Sequence, residues 1–483
     1  MGFSAFFSFI ARAWRSIDPR TRWNAPQGYK EVLTLSLPLI ASSIASTAMM
    51  FTDRLFLSRY SLTSIAAALP AGVTKFMITS LFLGTVTFSG VFVAQYMGAG
   101  KPEKAAGALW QGLYLAVASG FLHFALFFFG EDIFVWGGYP PEIVAEEAVY
   151  FRTLLIGTPF ELVMFTMSVF LASIGRARMV MWVNLLGTLV NIPLDYFLIF
   201  GLDIGGATII APMGILGAAL GTVFSWVFAA ALFALLIFNR AMEKSFRTRS
   251  SRRFNPALFW RILKYGYPSG IQLFLEIFAF TYFSFAVGSL GELIIAGNNI
   301  VFSIEALSFF PMLGVGQAVS ILVGHAIGRG KPKDGERAAL SGVVLSTIYV
   351  FLMCVFYVGF PEPIIKTFMP KDIDPASVVF LVDLGKTLLR FVVFYCLLDG
   401  LYLCCFGAIK GAGDVIFPML AMGFWAVVGL VIPITILFKL DMANIYAMWY
   451  AMVFYVTALT LTGVWRFCSR KWMTKKVIEV EIL

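Results

Sequence analysis

Apolar residues along this chain form long unbroken blocks separated by short polar stretches. Each block is about as long as a helix needs to cross hydrocarbon, roughly 20 residues. The strict alternation of a β-barrel is absent. Lipid cannot satisfy free backbone groups, so blocks of this kind predict a bundle of spanning helices. The pattern places twelve of them at 32–58, 62–96, 105–129, 150–174, 178–200, 214–238, 262–288, 294–327, 338–360, 378–409, 415–438 and 444–466. Prolines 38, 70, 159, 193, 268, 311, 418 and 433 fall inside these spans. A membrane bundle tolerates them, because neighbouring helices re-satisfy the freed carbonyl.

Composition agrees with the pattern. Hydrophobic residues make up 60% of the 483 and charged residues 13%, and mean hydropathy is +0.86. A soluble chain needs far more charge to cover its surface. Cys354, Cys396, Cys404, Cys405 and Cys468 show no metal-ligand spacing and read as small packing residues with no disulfide expected. His123 and His325 are too few for a histidine metal site. At the start, Phe3–Ile10 is apolar but precedes Arg12, Arg15, Arg20 and Arg22. That order is wrong for a cleaved signal and suits an amphipathic segment on the inner membrane surface.

The net charge of +9 has a distribution that excludes nucleic acid as the reason for it. Basic residues gather in alternate gaps: Lys101 and Lys104; Arg176 and Arg178; seven from Arg240 through Arg261; Arg329, Lys331, Lys333 and Arg337; Lys410. The tail adds Arg466, Arg470, Lys471, Lys475 and Lys476. The other gaps are poor in them, and 130–147 carries five acids with no base. By the positive-inside rule both termini are expected in the cytoplasm.

The chain also repeats. Met97-Gly98-Ala99-Gly100-Lys101-Pro102 returns as Ile327-Gly328-Arg329-Gly330-Lys331-Pro332, an offset of 230 that also relates Pro38 to Pro268 and Leu83-Gly84 to Leu313-Gly314. A second offset of 238 relates Arg152 to Arg390, Glu161 to Asp399 and Gly175 to Gly413. Six helices therefore repeat in the same orientation, which predicts two six-helix bundles about a pseudo-two-fold axis along the membrane normal. The expected organisation is a surface segment 1–31, an N-lobe 32–238, a basic linker 239–261, a C-lobe 262–466 and a basic tail 467–483.

Charges inside spanning helices cost ~2.5–3.5 kcal/mol each on the insertion scale, so those present are the functional candidates. They are Asp53, Lys75, Glu161, Asp195, Glu276, Glu305 and Asp399. A carboxylate at such a depth can take a proton, or Na⁺ with neighbouring oxygens. It can equally be a helix-end charge or half of a structural ion pair, and the spacing alone leaves both readings open.

Pro38 fifteen before Asp53, Asn191-Ile192-Pro193-Leu194-Asp195, the paired Gly-rich loops, Glu276 eight after Pro268, Val323-Gly324-His325, and Asp399 fifteen before Asp414 together resemble the multidrug and toxic compound extrusion (MATE) transporters, NorM-like branch. The resemblance covers roughly 30–467. It implies a V-shaped twelve-helix antiporter, not an enzyme, that expels organic cations or amphipathic compounds against H⁺ or Na⁺ and needs no cofactor. It implies Asp53, Asn191, Asp195 and Thr222 as an N-lobe ion site, and Glu276, Tyr395 and Asp399 as a C-lobe one; Na⁺ could be held at either. Lys75, Arg152, Glu161, Glu305, Lys386 and Arg390 exceed the intramembrane charge expected of the family. A lipid-linked oligosaccharide flippase of the same superfamily, with a basic cavity, is the alternative. The expected setting is the inner membrane, with a small organic substrate and a monomeric chain.

Two of these groups share helix faces by their four-residue spacing, Asn191 with Asp195 and Tyr395 with Asp399. Asp53, Asn191 and Asp195 are expected in one network. Lys75 and Glu305 are equivalents at the 230 offset. They are expected to line or gate the substrate cleft with Glu161, Arg152 and Arg390. In one reading Lys75 and Glu305 meet across the cleft in one state and part in the other; in the alternative each faces water.

Overall fold

The computed structural model describes residues 22–136, 140–205, 207–369 and 374–479. The segment expected on the membrane surface lies outside the described residues as far as position 21. Among the described residues, twelve helices are long and apolar enough to span a membrane. They are α1 (Tyr29–Tyr60), α2 (Leu62–Gly98), α3 (Pro102–Phe129), α4 (Pro141–Ser173), α5 (Ala177–Phe200), α6 (Ile215–Ile237), α7 (Pro256–Gly288), α8 (Glu292–Gly328), α9 (Pro332–Gly359), α10 (Pro375–Ala412), α11 (Ile416–Lys439) and α12 (Ile445–Cys468). Each matches a predicted span, with ends shifted by up to nine residues, the most at the start of α4. Between α5 and α6, Leu202–Ile204 pairs antiparallel with Ala207–Ile210.

Many large apolar side chains point outward, among them Phe121, Leu235, Phe285 and Val379, each 65% or more exposed. This inverts the surface of a soluble protein and suits a lipid solvent. Inside, small residues let helices approach. A Cβ on Gly120 would press into Pro159, the proline inside α4. α11 changes to a π-turn over Ala426–Val431, just before Pro433. Extra turns of this kind inside a helix are usual beside a proline or a functional position.

The chain divides into two compact units, Ala41–Phe274 and the remainder, Met1–Ile40 with Leu275–Leu483. The division falls inside α1 and α7 rather than in the basic stretch 239–261. That stretch is folded onto the first of these units. Arg240–Phe246 is a short helix capped by Asn239, and the Trp110 indole of α3 donates to the Thr248 carbonyl at 2.6 Å. The core of the Ala41–Phe274 unit gathers Leu57, Ala67, Phe151, Leu154, Leu155, Ile199 and Ala218. The other core gathers Phe283, Val301, Ile304, Leu388, Val392 and Trp449.

The internal repeat is visible in the backbone. Gly100 and Gly330 adopt φ of 70° and 73°. After each, the lysine amide reaches back to close the helix: Lys101 N to Tyr96 O and Lys331 N to Ala326 O, both 2.9 Å. The second offset behaves alike. Gly175 and Gly413 have φ of 84° and 97°, followed by Arg176 N to Leu171 O at 2.8 Å and Asp414 N to Ile409 O at 3.1 Å. Only glycine enters this left-handed region without strain, which explains why the motif returns letter for letter at these positions.

The C-terminal tail is part of the fold. Trp472, in a 3₁₀ turn over Lys471–Thr474, is fully buried, stacks on Phe467 and donates to its carbonyl at 3.0 Å. Val477 and Ile478 are buried as well, and a Cβ on Gly413 would strike Val477.

Candidate functional site

Within the Ala41–Phe274 unit, α5 presents Asn184, Thr188, Asn191 and Asp195 along one stripe, spaced four, three and four. The stripe faces α1. The Asn184 amide donates to Ser42 Oγ, and Thr188 Oγ1 donates to the Ala45 carbonyl at 3.1 Å. Further along the same face the structure brings Asp53, Asn191 and Asp195 together. Thr222 Oγ1 of α6 donates to Asp53 Oδ2 at 3.3 Å. Asp195 and Asn191 are wholly buried and Asp53 is 7% exposed.

These groups lack partners for oxygens and for one donor, the Asn191 amide nitrogen. Both oxygens of Asp195, Asp53 Oδ1 and both amide atoms of Asn191 are buried without a hydrogen-bond partner. Two ionised carboxylates cannot donate to one another, and leaving them so in a dry interior is costly. One proton shared between them, or one small cation with the Asn191 and Thr222 oxygens, offsets the paired negative charge of the carboxylates. Among the described residues no group of three or more His, Cys, Asp or Glu could hold a metal ion; this pocket has two acids and completes its oxygens from an amide and a hydroxyl. Gly221 makes the pocket possible. A Cβ there would overlap Asp195 Oδ1 and stand 2.9 Å from Cγ. Sequence reasoning missed it, and its position one residue before Thr222 was the available signal.

Lys75 and Glu161 form a second polar group in the same unit. They are 3% and 6% exposed and make a direct ion pair between α2 and α4. The Lys75 ammonium lies 4.4 Å from the centre of the Trp226 ring on α6. Gly157, one turn before Glu161, gives that indole room, since a Cβ there would approach Trp226 Cε3 to 3.1 Å. Lys75, read either as meeting Glu305 across the cleft in one state or as facing water, here pairs with Glu161 inside its own half.

In the other unit, Asp399 of α10 has Glu305 of α8 and Glu276 of α7 as acidic neighbours. Glu276 in turn lies within electrostatic reach of Lys410. Tyr395, one turn before Asp399, is buried, and its ring centre is 6.2 Å from that of Trp449. Trp449 donates to Asn298 Oδ1 at 3.1 Å. The repeat relates the two units chemically. Lys75 and Glu161 correspond to Glu305 and Asp399 by the offsets 230 and 238. One half carries an ammonium and a carboxylate, and the other carries two carboxylates.

The remaining candidates lie apart from these groups. Arg152 donates to the Phe127 carbonyl at 3.2 Å and approaches Glu131 at 3.7 Å. Lys386 pairs with Glu362 at 2.8 Å. Arg390 is exposed. A buried pair that sequence reasoning passed over is Arg466 with Asp414, at 2.8 and 2.7 Å through Nε and Nη2, with the guanidinium over Phe417.

A family model described as MatE matches residues 38–197 and 268–435. The probable multidrug resistance protein NorM of Burkholderia pseudomallei is 28% identical over 397 residues, 81% of this chain and 83% of that protein. The multidrug resistance protein PmpM of Pseudomonas aeruginosa is 28% identical over 407 residues, 82% of each. Among solved structures, an outward-facing multidrug resistance MATE family transporter of the MOP superfamily superposes with a TM-score of 0.82 at 20% identity, covering 93% of this chain and 98% of that one. A MOP superfamily transporter from Pyrococcus furiosus, described as having a binding pocket of reverse polarity, gives 0.80 at 20% identity, covering 92% and 95%. These relatives are transporters, not enzymes. Since the two matched stretches fill most of the chain and fall one in each repeat, the chain belongs to the MatE family of membrane transporters.

Proposed function

We propose that this protein is a secondary antiporter that exports organic cations or amphipathic toxic compounds in exchange for H⁺ or Na⁺, by alternating access of its two lobes. The observation that carries this reading is the buried Asp53–Asp195 pair with its unpartnered oxygens. Such a pair binds one positive charge well and none or two poorly, which is what exchange requires. Relatives named as multidrug resistance proteins support the cargo class. The C-lobe acids Glu276, Asp399 and Glu305, with Tyr395, form the second cation-attracting group and receive the substrate or a second ion. The protein works as a monomer in the inner membrane with both termini cytoplasmic, following its loop charges. Neutralisation of Lys75 by Glu161 weighs against a basic cavity of the flippase kind.

The test is transport by the purified chain in liposomes loaded with a cationic dye. An inward gradient of H⁺ or of Na⁺ should drive efflux, and the arm that works names the ion. Asp53→Asn and Asp195→Asn should each abolish gradient-driven efflux while the protein stays folded. Efflux that ignores both gradients, or wild-type coupling in both variants, overturns the reading.

A further inference from the structure

The buried pair of Lys75 and Glu161 is joined to the coupling acids through one turn of α6. Thr222, which donates to Asp53, and Trp226, which lies against the Lys75 ammonium, are four residues apart and so occupy the same helix face. α4 repeats the connection. Tyr150, Gly157 and Glu161 follow one stripe of that helix, and α2 answers with Gly72, 3.9 Å from the Tyr150 ring if it carried a Cβ, and Lys75 one turn on. The ammonium is held from two sides, by the Glu161 carboxylate and by the indole face. A desolvated cation over tryptophan is attracted by the ring quadrupole, and a buried ion pair fixes geometry more strongly than it adds stability. One other titratable group stands near. His123 of α3 lies within electrostatic reach of Lys75. Its Nδ1 donates to the Ser119 carbonyl at 2.8 Å, its ring packs edge-on to Phe82 of α2, and its Nε2 is buried without a partner.

We infer that Lys75, Glu161 and Trp226 are positioning residues for the coupling reaction: together they hold the rotation of α6 that keeps Thr222 against Asp53. Resting on the antiport reading above, this assigns the extra intramembrane charge of the N-lobe to the ion site rather than to the exported compound. Lys75 does not touch the ion. It fixes the helix that supplies one of the ion's oxygens, and its charge is cancelled locally so that it does not repel the incoming cation.

The experiment measures dye efflux from liposomes against coupling-ion concentration. The variant is Lys75→Met with Glu161→Met, which removes both charges while keeping most of the volume. It should fold, and its half-saturating ion concentration should rise about fivefold or more, the scale of a coupling near 1 kcal/mol, with little change in maximal rate. Thr222→Ala should give a shift of the same size. The three changes combined should shift no further than Thr222→Ala alone, because the pair acts through that hydroxyl. Lys75→Arg should keep the wild-type curve. If the double methionine variant does not fold, Trp226→Leu supplies the same comparison. A wild-type curve in the double variant, or a shift that adds fully to that of Thr222→Ala, overturns the inference. Wild-type coupling in Asp53→Asn would instead overturn the antiport reading itself, so the two failures are told apart.

Discussion

Gly221 gives the sharpest test of how the N-lobe acids are packed. Gly221→Ala adds one methyl group to α6, directed at the Asp195 carboxyl. The new carbon would stand 2.9 Å from Asp195 Cγ, whereas carbon atoms rest at about 3.5–4.0 Å. Recovering about 0.6–1.1 Å means turning Asp195 off its rotamer or parting α5 from α6. Overpacking of this kind costs about 1–3 kcal/mol. Against it stands the helix preference of alanine over glycine, about 0.8–1.0 kcal/mol. The net expectation is a loss of about 0–2 kcal/mol rather than the gain a free helical position would show. The functional loss should be larger than the structural one. On the antiport reading, an Asp195 moved from Asp53 should bind the coupling ion less tightly, and each 1.4 kcal/mol of lost affinity is about tenfold in half-saturation. Thermal unfolding of the purified variant reads the first term, and gradient-driven efflux against ion concentration reads the second. Adding Asp195→Ala removes the obstruction and should return the stability, with a pairwise coupling of about 1–3 kcal/mol. A Gly221→Ala protein that is more stable than wild type and keeps its ion dependence would refute the packing described.

Other outcomes follow from the remaining groups. Asp399→Asn and Glu276→Gln should each abolish coupled transport in a protein that elutes and unfolds like wild type; normal transport in both removes the C-lobe from the mechanism. Glu305→Lys should recreate beside Asp399 the pair that Lys75 makes with Glu161, leaving a folded C-lobe that no longer attracts a cation, which binding of a cationic dye to the purified protein would detect. Asp414→Ala should cost about 3–5 kcal/mol by thermal unfolding, because it strips the partner from the nearly buried Arg466, without changing ion dependence. Outside the spans, the Glu362 carboxyl is held down to about 2 from an ordinary 4.5 by Lys366 and by Lys386 of α10. A depressed carboxylate contributes above its unfolded value and loses that contribution as pH falls through the folded one. The protection factors of amides in Pro361–Thr367 should therefore hold from pH 7 to about pH 5 and fall progressively toward pH 2.

The twelve spans were legible because lipid imposes a length and a polarity that no local propensity can override. The turns at Gly100 and Gly330, and at Gly175 and Gly413, were legible because their backbone conformation needs glycine. The α5 stripe was legible because Asn191 and Asp195 differ by one helical turn. Partners on different helices were not. Repeat arithmetic related Lys75 to Glu305, yet an offset identifies equivalent places, not touching ones. Lys75 touches Glu161, and Glu305 has the equivalent of Glu161, Asp399, as its neighbour. Trp226 and Gly157 escaped notice because a tryptophan and a glycine among dozens of apolar residues carry no mark of their role until the helices are packed. The basic stretch 239–261 was read as a linker from its charge; what charge did not show is that its carbonyls accept from Trp110 and Gln111 of α3.

The buried tail changes what can be attached to this protein. With Trp472, Val477 and Ile478 seated in the C-lobe and Arg470 paired with Glu336 at 2.9 Å, the last stretch of chain behaves as a plug at the end of α10 and α12. A purification handle or fluorescent reporter spliced in before Ile478 would pull that plug and uncover the glycine turn at Gly413. One joined beyond Ile478 leaves it seated. Fusion libraries that vary the junction across 470–483 should therefore show a step in yield and melting temperature near Ile478 rather than a gradual decline.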